Sequence, residues 1–314
     1  MNESDCSPIQ SYEPVFLRLF RIYRQAGYDI RINLNPAFFA GWGDSLFCML
    51  YKDGKPLSTG GGGISLSELN FFESLRSALP LSSIFVIGNS GGWSTLALAL
   101  LWPEARVAAI DCGLMEKPNP LFEVFDFDRH QGGMPSDFGI VLTNDLARAH
   151  HLDVQVVQGM SPQDLPHVIP SACPAPPQLV FIDGGHSNEQ VIKDFDGLQR
   201  LVDPNCIFIF HDVVNWHMEK GFLHCCEVVG RKGHILWRTS SGMAILLPDT
   251  ASVAVREVVD AFSESEQKLR EFKRRAPRRR MVSIIEKLPE NSILGKLKTA
   301  IKWINAHLPR LHRH

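Results

Sequence analysis

The sequence is short of the features that fix a protein's class at a glance. No apolar run approaches the roughly 18 uncharged residues needed to cross a bilayer. Its seven cysteines include no Cys-x-x-Cys pair, so neither a zinc ribbon nor a disulfide framework fits. The opening MNESDCSPIQ is polar and acidic, without the basic flank and apolar stretch of a secretion signal. A reducing cytoplasm is the expected location. Net charge is nearly absent, −2 over 314 residues with 45% hydrophobic and 21% charged side chains. Those values exclude a wholly disordered or collagen-like chain. There is no internal repeat. At roughly 100–200 residues per domain, one large domain with additions, or two domains, is expected.

The near-neutral total hides an asymmetry. Residues 1–266 carry 18 basic and 31 acidic side chains, and residues 267–314 carry 14 basic and 3 acidic. An acidic body therefore ends in a basic tail. Within the body, residues 13–26 read as a helix, and residues 27–63 are rich in turns and aromatics. The four glycines at 60–63 lack the following Lys-Ser/Thr that a phosphate-binding loop needs, so a hinge is the better reading. Ser65 and Glu68 form the capping-box pattern that opens a helix through about Ala78.

From Leu81 onward short apolar runs alternate with amphipathic stretches. The runs are Ile84–Ile87, Val107–Ile110, Val154–Val157, Leu179–Ile182 and Ile207–Phe210. Apart from Gln155 they are continuously apolar, as strands covered on both faces are. Ile235–Trp237 and Met243–Leu247, around Ser240-Ser241-Gly242, read as a hairpin. The predicted fold is α/β, a Rossmann-like doubly wound sheet, mostly parallel with an antiparallel terminal hairpin, plus helical additions at both ends. The expected organisation is residues 1–63 as an N-terminal addition, 64–250 as the sheet domain and 251–314 as the basic helical tail. One long helix is expected over about Ser252–Arg274.

The chemistry should lie at the strand ends. The first strand leads into Gly88-Asn89-Ser90-Gly91-Gly92-Trp93-Ser94-Thr95, where glycines let a ligand approach the backbone at a helix start. Ser90 occupies the second glycine of a dinucleotide fingerprint. The second strand ends at Asp111, placed to accept both hydroxyls of a ribose. The third leads into Met160 and Ser161. The fourth gives Ile182-Asp183-Gly184-Gly185-His186-Ser187, and the fifth Phe210-His211-Asp212-Val213.

Taken together, these segments, over about residues 65–250, resemble class I S-adenosylmethionine-dependent methyltransferases with Ile-Asp-Gly-x-His and Phe-His-Asp-Val signatures. The resemblance implies a seven-stranded core, S-adenosylmethionine as donor, and O-methylation of a small-molecule or sugar hydroxyl. It places Gly88, Asn89, Ser90, Gly92, Trp93, Ser94, Asp111, Met160, Ser161 and Asp183 around the donor. It also implies Mg²⁺ or another divalent cation beside the donor. Hard oxygen ligands suit such an ion, so Asp183 and Asp212 are the natural pair, with His211 a third candidate ligand. His186 is placed as general base, and Asp183, Asp212 and His186 form the expected catalytic set. Two departures stand out: family members often carry an acidic residue at the positions of Val86 and Gly185.

Two other readings stay open, a nicotinamide-dependent oxidoreductase and a noncatalytic donor-binding scaffold anchored through its tail. The acceptor, a small molecule or glycan, is expected to meet residues 1–60 and the loop 112–138. In the tail, Ile293, Leu294, Leu297, Ile301, Ile304 and Leu308 share one helical face, away from Lys296, Lys298 and Lys302. Packing on its own domain or in a homodimer is favoured over a peripheral membrane contact. Nucleic acid is not an expected partner.

Overall fold

The computed structural model describes residues 13–32, 48–53, 55–56, 63–113 and 137–275. The apolar stripe of the tail, most of loop 112–138 and much of the first 60 residues lie outside them, so the readings placed there rest on sequence alone. The chain divides into two compact units, Met1–Ser263 and Glu264–His314. Among the described residues, no helix is long and apolar enough to cross a membrane.

The first unit opens with helix α1 (Val15–Gln25) and a small antiparallel sheet, β1 (Asp29–Ile32), β2 (Cys48–Lys52) and β3 (Lys55–Pro56). That sheet was not foreseen, because its strands are short and separated by turn-rich sequence. Then come α2 (Leu66–Ala78), β4 (Ser83–Ile87), α3 (Trp93–Leu101), β5 (Arg106–Asp111), α4 (Phe138–Ala149), β6 (Val154–Gln158), α5 (Leu165–Ala172) and β7 (Leu179–Ile182). They are followed by α6 (Asn188–Leu198), β8 (Ile207–Phe210), α7 (Glu219–Val229), β9 (Gly233–Leu236), β10 (Met243–Leu246) and α8 (Val253–Phe262). Helix α9 (Glu266–Arg275) belongs to the second unit.

The main sheet has seven strands in the order β6-β5-β4-β7-β8-β10-β9. All neighbours are parallel except that β10 runs antiparallel to both β8 and β9. The expected doubly wound sheet with a terminal hairpin is the one observed. The continuous apolar runs follow from it. Ile84 and Val86, Leu179 and Phe181, Ile207 and Ile209 enter a core on one face. Phe85 and Ile87, Val180 and Ile182, Phe208 and Phe210 enter a second core on the other. A strand's period of two thus buries alternate residues in different cores, and every position must be apolar.

The capping box of α2 is formed as the sequence suggests, with Ser65 Oγ accepting from the Glu68 N–H and Glu68 Oε2 accepting from the Ser65 N–H at 2.7 Å. The single helix expected over 252–274 is instead two, α8 and α9. The break follows from local chemistry: Ser263 is extended, and Ser265 Oγ accepts from the Lys268 N–H to start a new helix. Val255 and Val259 bury into the first core, so α8 belongs to the main body rather than to the tail.

The winding reverses between β4 and β7. Strands β5 and β6 extend the sheet one way from β4, and β7 and β8 the other. In open α/β sheets ligands enter the crevice at the carboxyl ends of strands beside such a reversal, and the motif residues gather there.

Candidate functional site

Two structures meet at this edge. The first is the loop between β4 and α3, in which Gly88, Ser90 and Gly92 have φ of +89°, +46° and +87°. These left-handed turns fold residues 88–92 tightly over the end of β4. A side chain on Gly88 would drive into the Asp183 carbonyl, and one on Gly92 into Thr143. Protein packing is therefore already a sufficient reason for glycine at both positions. Asp111, at the end of β5, holds the loop in place. Its Oδ2 accepts from the N–H groups of Asn89 and Ser90 at 2.6 and 2.9 Å, and its Oδ1 from Gly113 at 2.7 Å. An ionised carboxylate offers about four acceptor sites, so Asp111 is largely engaged by the protein and keeps limited capacity for a further hydroxyl.

Several sequence candidates turn toward the protein. Asn89 is buried, donating to Thr143 Oγ1 and accepting from Thr95 Oγ1. Trp93 is buried against Phe16 and Tyr23, and its indole N–H donates to the Ile64 carbonyl. Ser94 is likewise buried and accepts from the Ile64 N–H. Ser161 donates to Asp194 at 2.6 Å. Met160, 51% exposed, remains an open apolar surface beside the crevice. The side chains of Asn89, Trp93, Ser94 and Ser161 build the loop and its surroundings.

The second structure is a buried ionic cluster at the ends of β7 and β8. His211 lies with Nδ1 2.9 Å from Asp183 Oδ1 and 3.5 Å from Asp212 Oδ2, and with Nε2 3.2 Å from Glu68 Oε2. His186 Nε2 lies 3.1 Å from Asp212 Oδ2 and 3.7 Å from Asp183 Oδ1. Its ring stacks on Trp216 with centroids 5.2 Å apart. Asp183, His186, His211 and Asp212 each offer a ligand atom, and all four atoms lie within 4.8 Å of one another. Asp212 itself has a φ of +56°, an uncommon backbone for a non-glycine residue and a cost typical of functional positions.

Glu68 was legible only as a helix cap, yet it completes the cluster. Fully buried, its carboxylate accepts from the Ser65 N–H, from the Ser241 N–H at 2.9 Å and from the Ser241 hydroxyl, and faces His211. All its acceptor sites are engaged. Nothing local reveals this, since Ser241 and His211 lie 173 and 143 residues away in sequence. The stacked Trp216 was missed for a similar reason.

The charges decide the protonation. Burial pushes the carboxylates of Glu68, Asp183 and Asp212 toward neutrality, but the His211 charge and hydrogen bonds to the histidines win and lower all three pKa values. Burial alone would lower the histidines too. Hydrogen bonds and charge from Asp183 and Asp212 raise His186 to about 9, and Asp183, Asp212 and Glu68 raise His211 well above the usual range. In the metal-free chain both imidazoles are therefore protonated at neutral pH. A protonated imidazole has no lone pair with which to accept a proton, so His186 would have to give up its own proton before acting as the expected general base. The other reactive-looking group, Cys225 and Cys226, is buried in α7, with thiols pushed by burial up to about 12 and 11. These thiols are inert.

Residues 85–213 match the model of a family described as a methyltransferase domain. Among curated proteins none matches significantly. Similar solved structures include an O-methyltransferase from Bacillus cereus in complex with SAH, at 14% identity and TM-score 0.45, covering 77% of this chain and 94% of that one. Another is the O-methyltransferase TomG from Streptomyces achromogenes, involved in tomaymycin synthesis and solved with SAM. It is 14% identical with TM-score 0.42, over 77% of this chain and 92% of that one.

Proposed function

We propose that this chain, whose residues 85–213 match a methyltransferase-domain family, is a class I S-adenosylmethionine-dependent enzyme that moves a methyl group onto a hydroxyl of a small molecule or sugar with help from a divalent cation. The observation that carries the reading is the abutment of the two structures above. The Gly88 backbone packs directly on the Asp183 carbonyl, so the loop and the ionic cluster adjoin at the winding reversal. A donor on the loop and an acceptor at the cluster would be neighbours. The sulfonium already activates the methyl group, so holding two reactants in line supplies much of the acceleration.

The residues fit a cation in number and charge. Asp183 and Asp212 present carboxylates, His186 and His211 imidazoles, and the buried His186 Nε2 lies 3.1 Å from Asp212 Oδ2. When bound, a divalent cation favours loss of the acceptor's proton and orients the oxygen. The chain's own part is to place these groups. Trp216 fixes the plane of the His186 ring, Glu68 holds His211, and Asp111 anchors the loop that would carry the donor's ribose. Gly185 has no side chain to add a ligand, and Val86 is buried in the first core.

The test is S-adenosylhomocysteine production by the full chain with small hydroxylated acceptors, before and after chelation. Turnover should vanish in chelator and return with a divalent cation. Asp212→Asn should lose that return while still binding S-adenosylhomocysteine by calorimetry. Binding of NAD in place of S-adenosylhomocysteine would overturn the reading in favour of hydride transfer.

A further inference from the structure

We infer that the cluster is built for a nitrogen-preferring first-row transition ion rather than Mg²⁺, with Asp183, His186, His211 and Asp212 as ligands and Glu68 as the outer carboxylate that sets His211. The inference deepens the proposed function by naming the ion class at the same site.

Around the cluster, nitrogen and oxygen alternate. Asp183 Oδ1 to His211 Nδ1 is 2.9 Å, His211 Nδ1 to Asp212 Oδ2 3.5 Å, Asp212 Oδ2 to His186 Nε2 3.1 Å and His186 Nε2 back to Asp183 Oδ1 3.7 Å. These four separations are of the order of those between neighbouring ligands about 2.0–2.1 Å from one small ion, and all four atoms lie within 4.8 Å of one another. The set is two imidazoles and two carboxylates. Mg²⁺ takes six oxygens in near-ideal octahedral geometry and keeps several waters. A half-nitrogen set suits Fe²⁺, Co²⁺, Ni²⁺ or Zn²⁺.

The surroundings agree with the ligand set. A metal-bound histidine usually donates its other ring N–H to a carboxylate, which fixes its tautomer and raises its basicity. His211 has that arrangement, with Nδ1 toward the cluster and Nε2 toward Glu68. Glu68 is itself immobilised by the Ser65 cap and by both donors of Ser241. For His186, Trp216 stacks within 20° of parallel and fixes the ring plane. Two carboxylates and two neutral imidazoles balance one divalent charge.

The experiment uses the full chain stripped with chelator and titrated with Co²⁺. The expected result is one ion per chain with the intense visible absorption of low-coordinate Co²⁺, abolished by equimolar Zn²⁺ and unchanged in large Mg²⁺ excess. Glu68→Gln should weaken Co²⁺ binding about 10- to 100-fold. Because Glu68 also caps α2, His186→Ala is the second variant; that side chain is 26% exposed at the mouth, and its loss should cost at least about 10-fold and weaken the absorption. A pale six-coordinate spectrum, displacement of Co²⁺ by equimolar Mg²⁺, or an unaltered affinity in folded His186→Ala would overturn the inference. The two readings fail separately. Methyl transfer that survives chelation in a chain without a Co²⁺ site would overturn the ion and leave the transferase. A Co²⁺ site of the expected kind in a chain that methylates no hydroxyl would do the reverse.

Discussion

The two halves of the crevice are held by different physics. At the ends of β4 and β5, the loop of residues 88–92 is fixed by backbone shape, tight packing on Asp183 and Thr143, and main-chain N–H groups on one carboxylate. At the ends of β7 and β8, five ionisable side chains are packed together and held by mutual charge. The loop half fails by steric change, the cluster half by removal of a charge. A shape-built half is set by close backbone approach, whereas a charge-built half gathers carboxylates that hold positive charge between them.

Removing one charge from the cluster should have the largest effect. Glu68→Ala leaves the buried His211 short of a carboxylate and two backbone donors, at Ser65 and Ser241, without acceptors. Breaking a buried ion pair from one side typically costs about 3–5 kcal/mol, measurable as a shift in urea unfolding. Glu68→Gln keeps the shape and one acceptor oxygen and should cost less. Should alanine cost under about 1 kcal/mol, charge is not what holds this half.

A second test exploits titration in the metal-free chain. The folded-state pKa of His186 is raised to about 9, against about 6.5 in the unfolded chain. Its contribution to stability is therefore complete below about pH 6.5, falls as pH rises, and is gone above about 9. The lowered carboxylates of Glu68, Asp183 and Asp212 act in the opposite sense. Their contribution is present above about pH 4 and is lost as the pH falls further. Urea midpoints should be highest between about pH 4 and 6.5 and decline on both sides. His186→Ala should flatten the alkaline decline, and an unchanged decline in that variant would assign it elsewhere.

The contrast also explains what could be read from sequence. Continuous apolar runs and their spacing disclose a sheet covered on both faces, and the strand ends disclose where the motif residues gather, because those signals are local. Asp111, Asp183, His211 and Asp212 are legible on the same ground. Glu68 is not, since its capping role is local while its bonds to Ser241 and His211 span more than 140 residues. The inward turn of Trp93 and Ser94 was hidden for another reason. A motif records that a helix starts there, but which face of it meets α1 and Ile64 depends on packing. The base role for His186 came from position alone, and position does not disclose that the carboxylates of Asp183 and Asp212 hold a proton on it in the metal-free chain.

The smallest effect should come from neutralising the anchor of the loop half. Asp111→Asn keeps the shape and one acceptor oxygen, so the fold should tolerate it, unlike Glu68→Ala. It loses the charge-assisted bonds to the Asn89 and Ser90 N–H groups, and the remaining acceptor site for a ribose hydroxyl weakens with them. A hydrogen bond to a charged group contributes about 1.5–3 kcal/mol, or roughly 10- to 100-fold in affinity for S-adenosylhomocysteine. Calorimetry on Asp111→Asn and Glu68→Gln, alone and combined, separates the halves. Asp111 and Glu68 share no partner, so each substitution should weaken its own ligand and leave the other's affinity unchanged, with additive effects in the double variant. Loss of S-adenosylhomocysteine affinity in Glu68→Gln as large as in Asp111→Asn would show that donor loop and cluster act as one unit, and the division between shape and charge would not hold.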